Sequence, residues 1–242
     1  MEVRLSSEER LDELGRKGYR IIQNTKTFCF GIDAVLLADF ARIGSDDRVA
    51  DLGCGNGILP LLLAGRDKGK SFAAVEIQPL QAALAERNAA LNGLSERIDV
   101  FAADLTEASR FLPKGSFDAV VTNPPYMKQG SGLVNPEDAK AIARHEIRCT
   151  LKDVLRESSR LLKPGGGLFM VHRCWRLGET LAALPEEGLT PKRLRTVHSY
   201  AGTEGELFLL EARRGAGDGL SVLKPCVIYE APGVYTDELW HM

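Results

Sequence analysis

Apolar residues along this chain fall into two alternating rhythms. Short unbroken apolar runs mark strands buried on both faces, and stretches with apolar residues at steps of three and four mark helices. "RVADLG" (48–53) precedes the helical "ILPLLLAGR", and "SFAAVEI" (71–77) precedes "PLQAALAERNAALNG". "IDVFAAD" leads into "TEASRFLP", "FDAVVT" runs into an Asn-Pro-Pro turn, and helical "TLKDVLRESSRLLKPGG" leads into the strand "GLFMVHR". This alternation predicts a doubly wound, Rossmann-like α/β fold, a mostly parallel sheet with helices on both faces.

The flanks follow other patterns. Ser6 to Glu9 has the spacing of a capping box and predicts a short helix closed near Gly15. "YRIIQ" and "KTFCF" predict a pair of strands around Asn24 and Thr25, and "GIDAVLLADFARIG" a helix with Asp33 as N-cap. Towards the end, "WRLGETLAALPEEG" is helical, and "PKRLRTVHS" and "GELFLLEARR" predict an antiparallel hairpin on the sheet. After the break "GAGDG", "LSVLKPCVIYE" is expected to pack on the body as an extended tail. At 242 residues the chain is read as one domain: an extension over 1–46, a core over 47–214 and a tail over 215–242.

Composition narrows the function classes. With 44% hydrophobic and 26% charged residues the chain is an ordinary globular protein, and its net charge of −2 argues against indiscriminate nucleic-acid binding. The charged start "MEVRLSSEER" is unlike a signal peptide, and no apolar run reaches the roughly 18 residues of a membrane span, so a cytoplasmic protein is expected. The 5 cysteines stand singly, which predicts neither a metal site nor a disulfide framework.

The candidate chemistry lies at strand ends. "DLGCGNG" (51–57) joins the first strand of the alternation to its helix, where Gly53, Gly55 and Gly57 let a ligand approach the backbone, with Asn56 among them. A dinucleotide fingerprint needs Gly or Ala where Ile58 stands, which weakens a nicotinamide oxidoreductase reading. Asp51 would repel a pyrophosphate yet could hold a cationic or amino-bearing group. Glu76, at the next strand end, is placed to bridge two ribose hydroxyls, and Asp104, at the third, to meet an exocyclic amine. Each acid alone reads as a cap or turn residue. Together they describe a pocket for an adenosine with a positive or zwitterionic arm, which is S-adenosylmethionine.

"NPPY" (123–126) ends the fourth strand. Proline has no N–H and restricts the residue before it, so Asn123 and Pro124 present acceptor oxygens from a rigid backbone. The amide oxygen of Asn123 and the carbonyl of Pro124 can accept both hydrogens of one incoming amine and direct its lone pair at an electrophilic methyl group. Pro125 keeps the segment free of a second donor. Tyr126 offers a ring on which a planar substrate stacks. As a bare turn, Asn-Pro-Pro would be unremarkable; its strand end beside the acidic pocket is what marks it.

These residues resemble the class I methyltransferases, with "DLGCGNG" as glycine-rich motif, Glu76 as ribose acid and Asp104 as adenine acid, over nearly everything from Asp47 to Arg213. The resemblance implies a seven-stranded sheet whose last strand is antiparallel. Asn-Pro-Pro-Tyr is similar to the motif of enzymes that methylate adenine N6, guanine N2 or a glutamine amide. "FGIDAVLLADFA", "NPPYM", "ARHEI", "LLKPGG", "VHRCWRL" and "GVYTDE" together are similar to the bacterial tRNA1(Val) adenine-N6-methyltransferases.

That likeness implies a tRNA partner, modified on the adenosine 3′ of the anticodon. It places Phe30 and Gly31 on the pocket wall, and Ile77, Leu105 and Asn123 among the cofactor contacts. Lys140 to Arg148, Lys192 to Arg195 and Arg173 or Arg176 are candidate phosphate contacts, with an ordinary charged surface as the equal alternative. His145 has no triad partner in sight. Another RNA base, a protein glutamine, and an RNA-binding protein on an inactive methyltransferase fold remain alternative readings.

Overall fold

The computed structural model describes residues 4–26, 29–124 and 149–240, except the side chain of Trp240. Strands β1 (Glu9–Glu13) and β2 (Arg20–Asn24) come first, then helix α1 (Ile32–Phe40). The alternating core follows: β3 (Arg48–Leu52), α2 (Ile58–Gly65), β4 (Ser71–Glu76), α3 (Pro79–Leu91), β5 (Ile98–Ala102), α4 (Ala108–Phe111) and β6 (Phe117–Thr122). Beyond it, the helix Leu151–Leu161 runs into β7 (Leu162–Arg173), and the helix Leu177–Ala183 precedes β8 (Leu189–Tyr200) and β9 (Leu207–Arg214).

The large sheet has β3 at its centre, hydrogen-bonded in parallel to β4 on one side and β6 on the other. β5 lies outside β4, β7 outside β6, and β9 runs antiparallel between β7 and β8. The chain therefore winds one way from β3 through β5 and the other way from β6, which makes the β3/β6 boundary the switch point where such sheets open a crevice. Asp51 pairs with Val121 across that boundary. Gly53 follows the end of β3 and Asn123 the end of β6.

The apolar patterning builds a core on each face of the sheet. Val49 joins a cluster with Leu36, Leu37, Leu61 and Phe169, while Ala50 and Leu52 join the opposite one with Phe117, Leu155 and Phe208. This is the two-residue alternation of a strand covered on both sides. α2 is buried throughout, as its all-round apolar sequence requires. Thr150 and Asp153 form a reciprocal capping box on the helix Leu151–Leu161, fixing its start.

Three expectations are corrected. Ser6 N–H donates to Glu9 Oε2 at 2.9 Å, as in a capping box, but Glu9 N–H donates to the Ser6 backbone carbonyl at 3.1 Å, and the turn introduces β1 and not a helix. β1 pairs antiparallel with β2, so the partner of "YRIIQ" lies before it and not in "KTFCF". Of that segment, residues 27 and 28 lie outside the described part, and Cys29 and Phe30 are not strand. The tail, finally, extends the sheet: β10 (Ser221–Val222) and β11 (Cys226–Ala231) pair in parallel with β8, and β12 (Val234–Tyr235) follows on β11. Among the described residues the sheet has 10 strands in place of the expected seven, because β8 would otherwise expose an unpaired edge.

Candidate active site

The glycine loop leaves β3 at the switch point. Gly53 and Gly57 both have φ +82° and Gly55 +54°, conformations that favour glycine. A side chain at Gly57 would also stand 3.2 Å from the Ala85 methyl group. The loop is held from several sides. Gly53 and Cys54 N–H donate to Val75 O at 2.9 and 3.0 Å, and Asn88 Nδ2 donates to Asn56 O at 2.9 Å. Asn88 is fully buried on α3 and also exchanges two hydrogen bonds with the backbone of Ile22, stitching the N-terminal hairpin to the loop.

Glu76 is the last residue of β4, as expected, and is buried. Its Oε2 accepts from Gly55 N at 3.0 Å and its Oε1 from Gln78 N at 2.8 Å. A carboxylate oxygen has a second lone pair, so both retain capacity for hydroxyl donors. Glu76 thus shapes the loop, a role its position alone did not reveal.

Asp51 is 0% exposed, and among the described residues neither of its carboxylate oxygens has a hydrogen-bond partner. Burial, then the nearby negative charge of Glu76, pushes its carboxyl well above the usual range. The Cys54 thiol is likewise pushed up, by burial first and by Asp51 and Glu76 next, so it is no nucleophile. An orphaned acid under a glycine cradle is complementary to a ligand bearing positive charge or N–H donors.

Asp104 lies two residues past β5, in the turn. Its Oδ1 caps that turn, accepting from Thr106 N at 2.9 Å and Thr106 Oγ1 at 2.8 Å. Leu105 beside it comes within 3.8 Å of where a Gly53 side chain would begin, so the third strand end does meet the loop. Ile77 follows Glu76 and is half-buried. Phe30 is half-buried against the core, its N–H held by Gln23 Oε1 at 3.0 Å, and Gly31 forms the N-cap of α1.

β6 is tied to β3 where both leave the sheet, Thr122 Oγ1 donating to Leu52 O at 2.8 Å. Asn123 follows, half-buried, and its Nδ2 donates to Asp33 Oδ2 at 3.1 Å. Pro124 is buried. Pro125 and Tyr126 lie outside the described residues, as do Lys140 to Arg148 with His145. Asp33 is not the N-cap of α1: it sits in the first turn, buried, with Oδ1 accepting from Ala34 N at 2.9 Å. A carboxylate in the apolar "IDAVLLADF" was the only hint in the sequence of this contact.

Of the candidate phosphate contacts, the described residues Arg176, Lys192, Arg193 and Arg195 are bonded within the fold. Arg176 is buried and paired with Glu179, and Arg193 with Glu211 while lying 4.4 Å over the Phe40 ring. Lys192 donates to Gly217 and Asp218 carbonyls, and Arg195 to Lys224 O and Glu238. Among the described residues no cluster is placed to hold a metal ion, and no helix is long and apolar enough to cross a membrane.

A glycine loop at the switch point, acids after the next two strands and an antiparallel strand between β7 and β8 define a class I methyltransferase fold. The methyltransferase small domain model matches residues 31–181. A tRNA1(Val) (adenine(37)-N6)-methyltransferase of Porphyromonas gingivalis is 30% identical over 92% of this chain and 89% of its own. One of the same name from Aeromonas hydrophila is 32% identical over 86% and 85%. A solved structure from Agrobacterium tumefaciens, described as a predicted O-methyltransferase, superposes with a TM-score of 0.67 at 26% identity over 86% of this chain and 93% of that one. The chain belongs to the methyltransferase small domain family, within the tRNA1(Val) adenine-N6-methyltransferases.

Proposed function

We propose that this chain transfers a methyl group from S-adenosylmethionine to the N6 amine of the adenine beside the anticodon of a valine tRNA. The observation that supports this reading is the register of β3 and β6, which pairs Asp51 with Val121, so that the glycine loop and the Asn-Pro-Pro segment follow the same ends of two adjacent parallel strands. The residues fit the cofactor. Asp51 complements its positive charge, Glu76 takes the ribose hydroxyls, and Asp104 offers its second carboxylate oxygen to the adenine amine. Gly53, Gly55, Asn56 and Gly57 form the cradle, and Phe30, Gly31, Ile77 and Leu105 its walls.

The cofactor supplies a methyl group made electrophilic by its sulfonium; the chain supplies position. An aromatic amine is a weak nucleophile because its lone pair is spread into the ring. Asn123 Oδ1 and the Pro124 carbonyl accept its two hydrogens, favour a pyramidal nitrogen and aim the lone pair. Pro125 withholds a competing N–H, and Tyr126 stacks on the base once it leaves the loop. The reaction runs in the cytoplasm, in a single domain whose core is residues 47–214.

The test is to incubate the purified chain with labelled S-adenosylmethionine and, separately, total tRNA and total protein. Label is expected in tRNA, as N6-methyladenosine after digestion to nucleosides. Label confined to protein, or to another nucleoside, would displace this reading.

A further inference from the structure

We infer that Asp33 is a positioning residue that decides which end of the Asn123 side chain meets the substrate amine; this rests on the reading of Asn123 as an amine acceptor. A primary amide is planar and two-faced, with an acceptor oxygen on one branch and two donor hydrogens on the other. Half a turn of the Asn123 amide would place its NH2 against the substrate NH2, donor against donor. Nothing in the Asn-Pro-Pro sequence prevents that turn.

Asp33 does. A carboxylate only accepts, so Asp33 Oδ2, 3.1 Å from Asn123 Nδ2, pairs with the NH2 branch and directs Oδ1 away from α1. The carboxylate is itself fixed, 7% exposed, with Oδ1 holding Ala34 N–H at 2.9 Å. Gly31 makes room for it: a side chain there would start 3.0 Å from Asp33 Oδ1. α1 carries Asp33 rigidly because Ala34, Leu36, Leu37, Ala38 and Phe40 are buried around it. The other partner is rigid too, since a residue before proline has a restricted backbone.

The test is a swap. In Asp33→Asn the Ala34 N–H still needs an acceptor, so the new amide turns its oxygen there and its NH2 towards Asn123, which must flip. With unmethylated valine tRNA and S-adenosylmethionine, kcat is expected to fall about a hundredfold, the scale of losing one positioned electrostatic group. The tRNA KM, the cofactor Kd and the melting temperature should stay near parental values. Adding Asn123→Asp restores an acceptor on the substrate side and is expected to recover kcat roughly tenfold over Asp33→Asn, a coupling typical of residues in contact.

A merely structural Asp33 would give no loss confined to kcat and no recovery in the swap. Parental kcat in Asp33→Asn alongside an inactive Asn123→Ala overturns the role of Asp33 alone; an active Asn123→Ala overturns the amine-acceptor reading beneath it. In the unmutated protein the Asn123 side-chain NH2 resonances, identified by their loss in Asn123→Ala, should show slowed hydrogen exchange. Exchange at the rate of an exposed amide would also overturn the role.

Discussion

Asn123 and Asp33 are 90 positions apart in the chain, yet the Asn123 amide donates to the Asp33 carboxylate at 3.1 Å. The bond joins the end of β6 to the first turn of α1. It makes the N-terminal segment a structural part of the candidate active site, and it shows why the helix before the alternating core carries a buried acid.

Asp51 is expected to make cofactor binding sensitive to pH. Burial, then Glu76, raises its carboxyl well above the ordinary value. A cationic ligand nearby favours the carboxylate, and binding must then release protons. Calorimetric titration with S-adenosylmethionine in buffers of different ionisation enthalpy should show that release, and Asp51→Asn should abolish it. An enthalpy independent of buffer would contradict the assignment.

Asn88 holds the glycine loop and the N-terminal hairpin together by three buried hydrogen bonds. Asn88→Ala leaves the Ile22 N–H and two carbonyls without those partners and is expected to cost about 2–4 kcal/mol. Urea unfolding measures it. Cofactor affinity should fall as well, since Asn56 O loses its support; a variant as stable and as tight-binding as the parent would show that the loop holds its shape unaided.

His172 sets an acid limit on stability. Burial first, and Arg176 next, lower its imidazole pKa from 6.5 to about 4, so the folded state keeps it neutral while the unfolded chain takes up a proton near 6.5. The stabilisation is complete above that value and is lost as pH falls towards 4, amounting to about 3 kcal/mol. Thermal melts of the parent should drop over this window, and His172→Gln should flatten part of the drop. Parallel curves for the two proteins would assign the acid sensitivity elsewhere.

Glu211 is 3% exposed and pairs with Arg193 and Arg213. Glu211→Ala would strand Arg193, whose side chain is also largely buried, and is expected to destabilise the fold by about 3–5 kcal/mol in urea titration. The same change should leave cofactor affinity in the remaining folded protein unaltered, because this cluster lies between β8, β9 and α1 rather than at the glycine loop.

What could be read in the sequence depended on how local the cause was. β3 to β7 and their helices were legible because each announces itself through the period of its own apolar residues, and Glu76 because strand length alone put it at the edge. Ser6 to Glu9 misled because the Ser6 N–H to Glu9 carboxylate bond serves a capping box and a turn before β1 alike; pairing with β2 decided between them. The tail strands were hidden for a similar reason, since "SV" and "CVIYEA" become strands by finding the open edge of β8. Asp104 realises the turn-capping role, and the basic run 192–195 bonds to distant partners.

The most direct test uses two transcripts of the valine tRNA, one with adenosine and one with guanosine at the position 3′ of the anticodon. Each is incubated with the purified chain and S-adenosylmethionine, and nucleosides are identified by mass spectrometry. One N6-methyladenosine is expected in the first transcript, none in the second, and none in either with Asn123→Ala. Equal methylation of both transcripts, or full activity of the Asn123 variant, would contradict the proposed function at its centre.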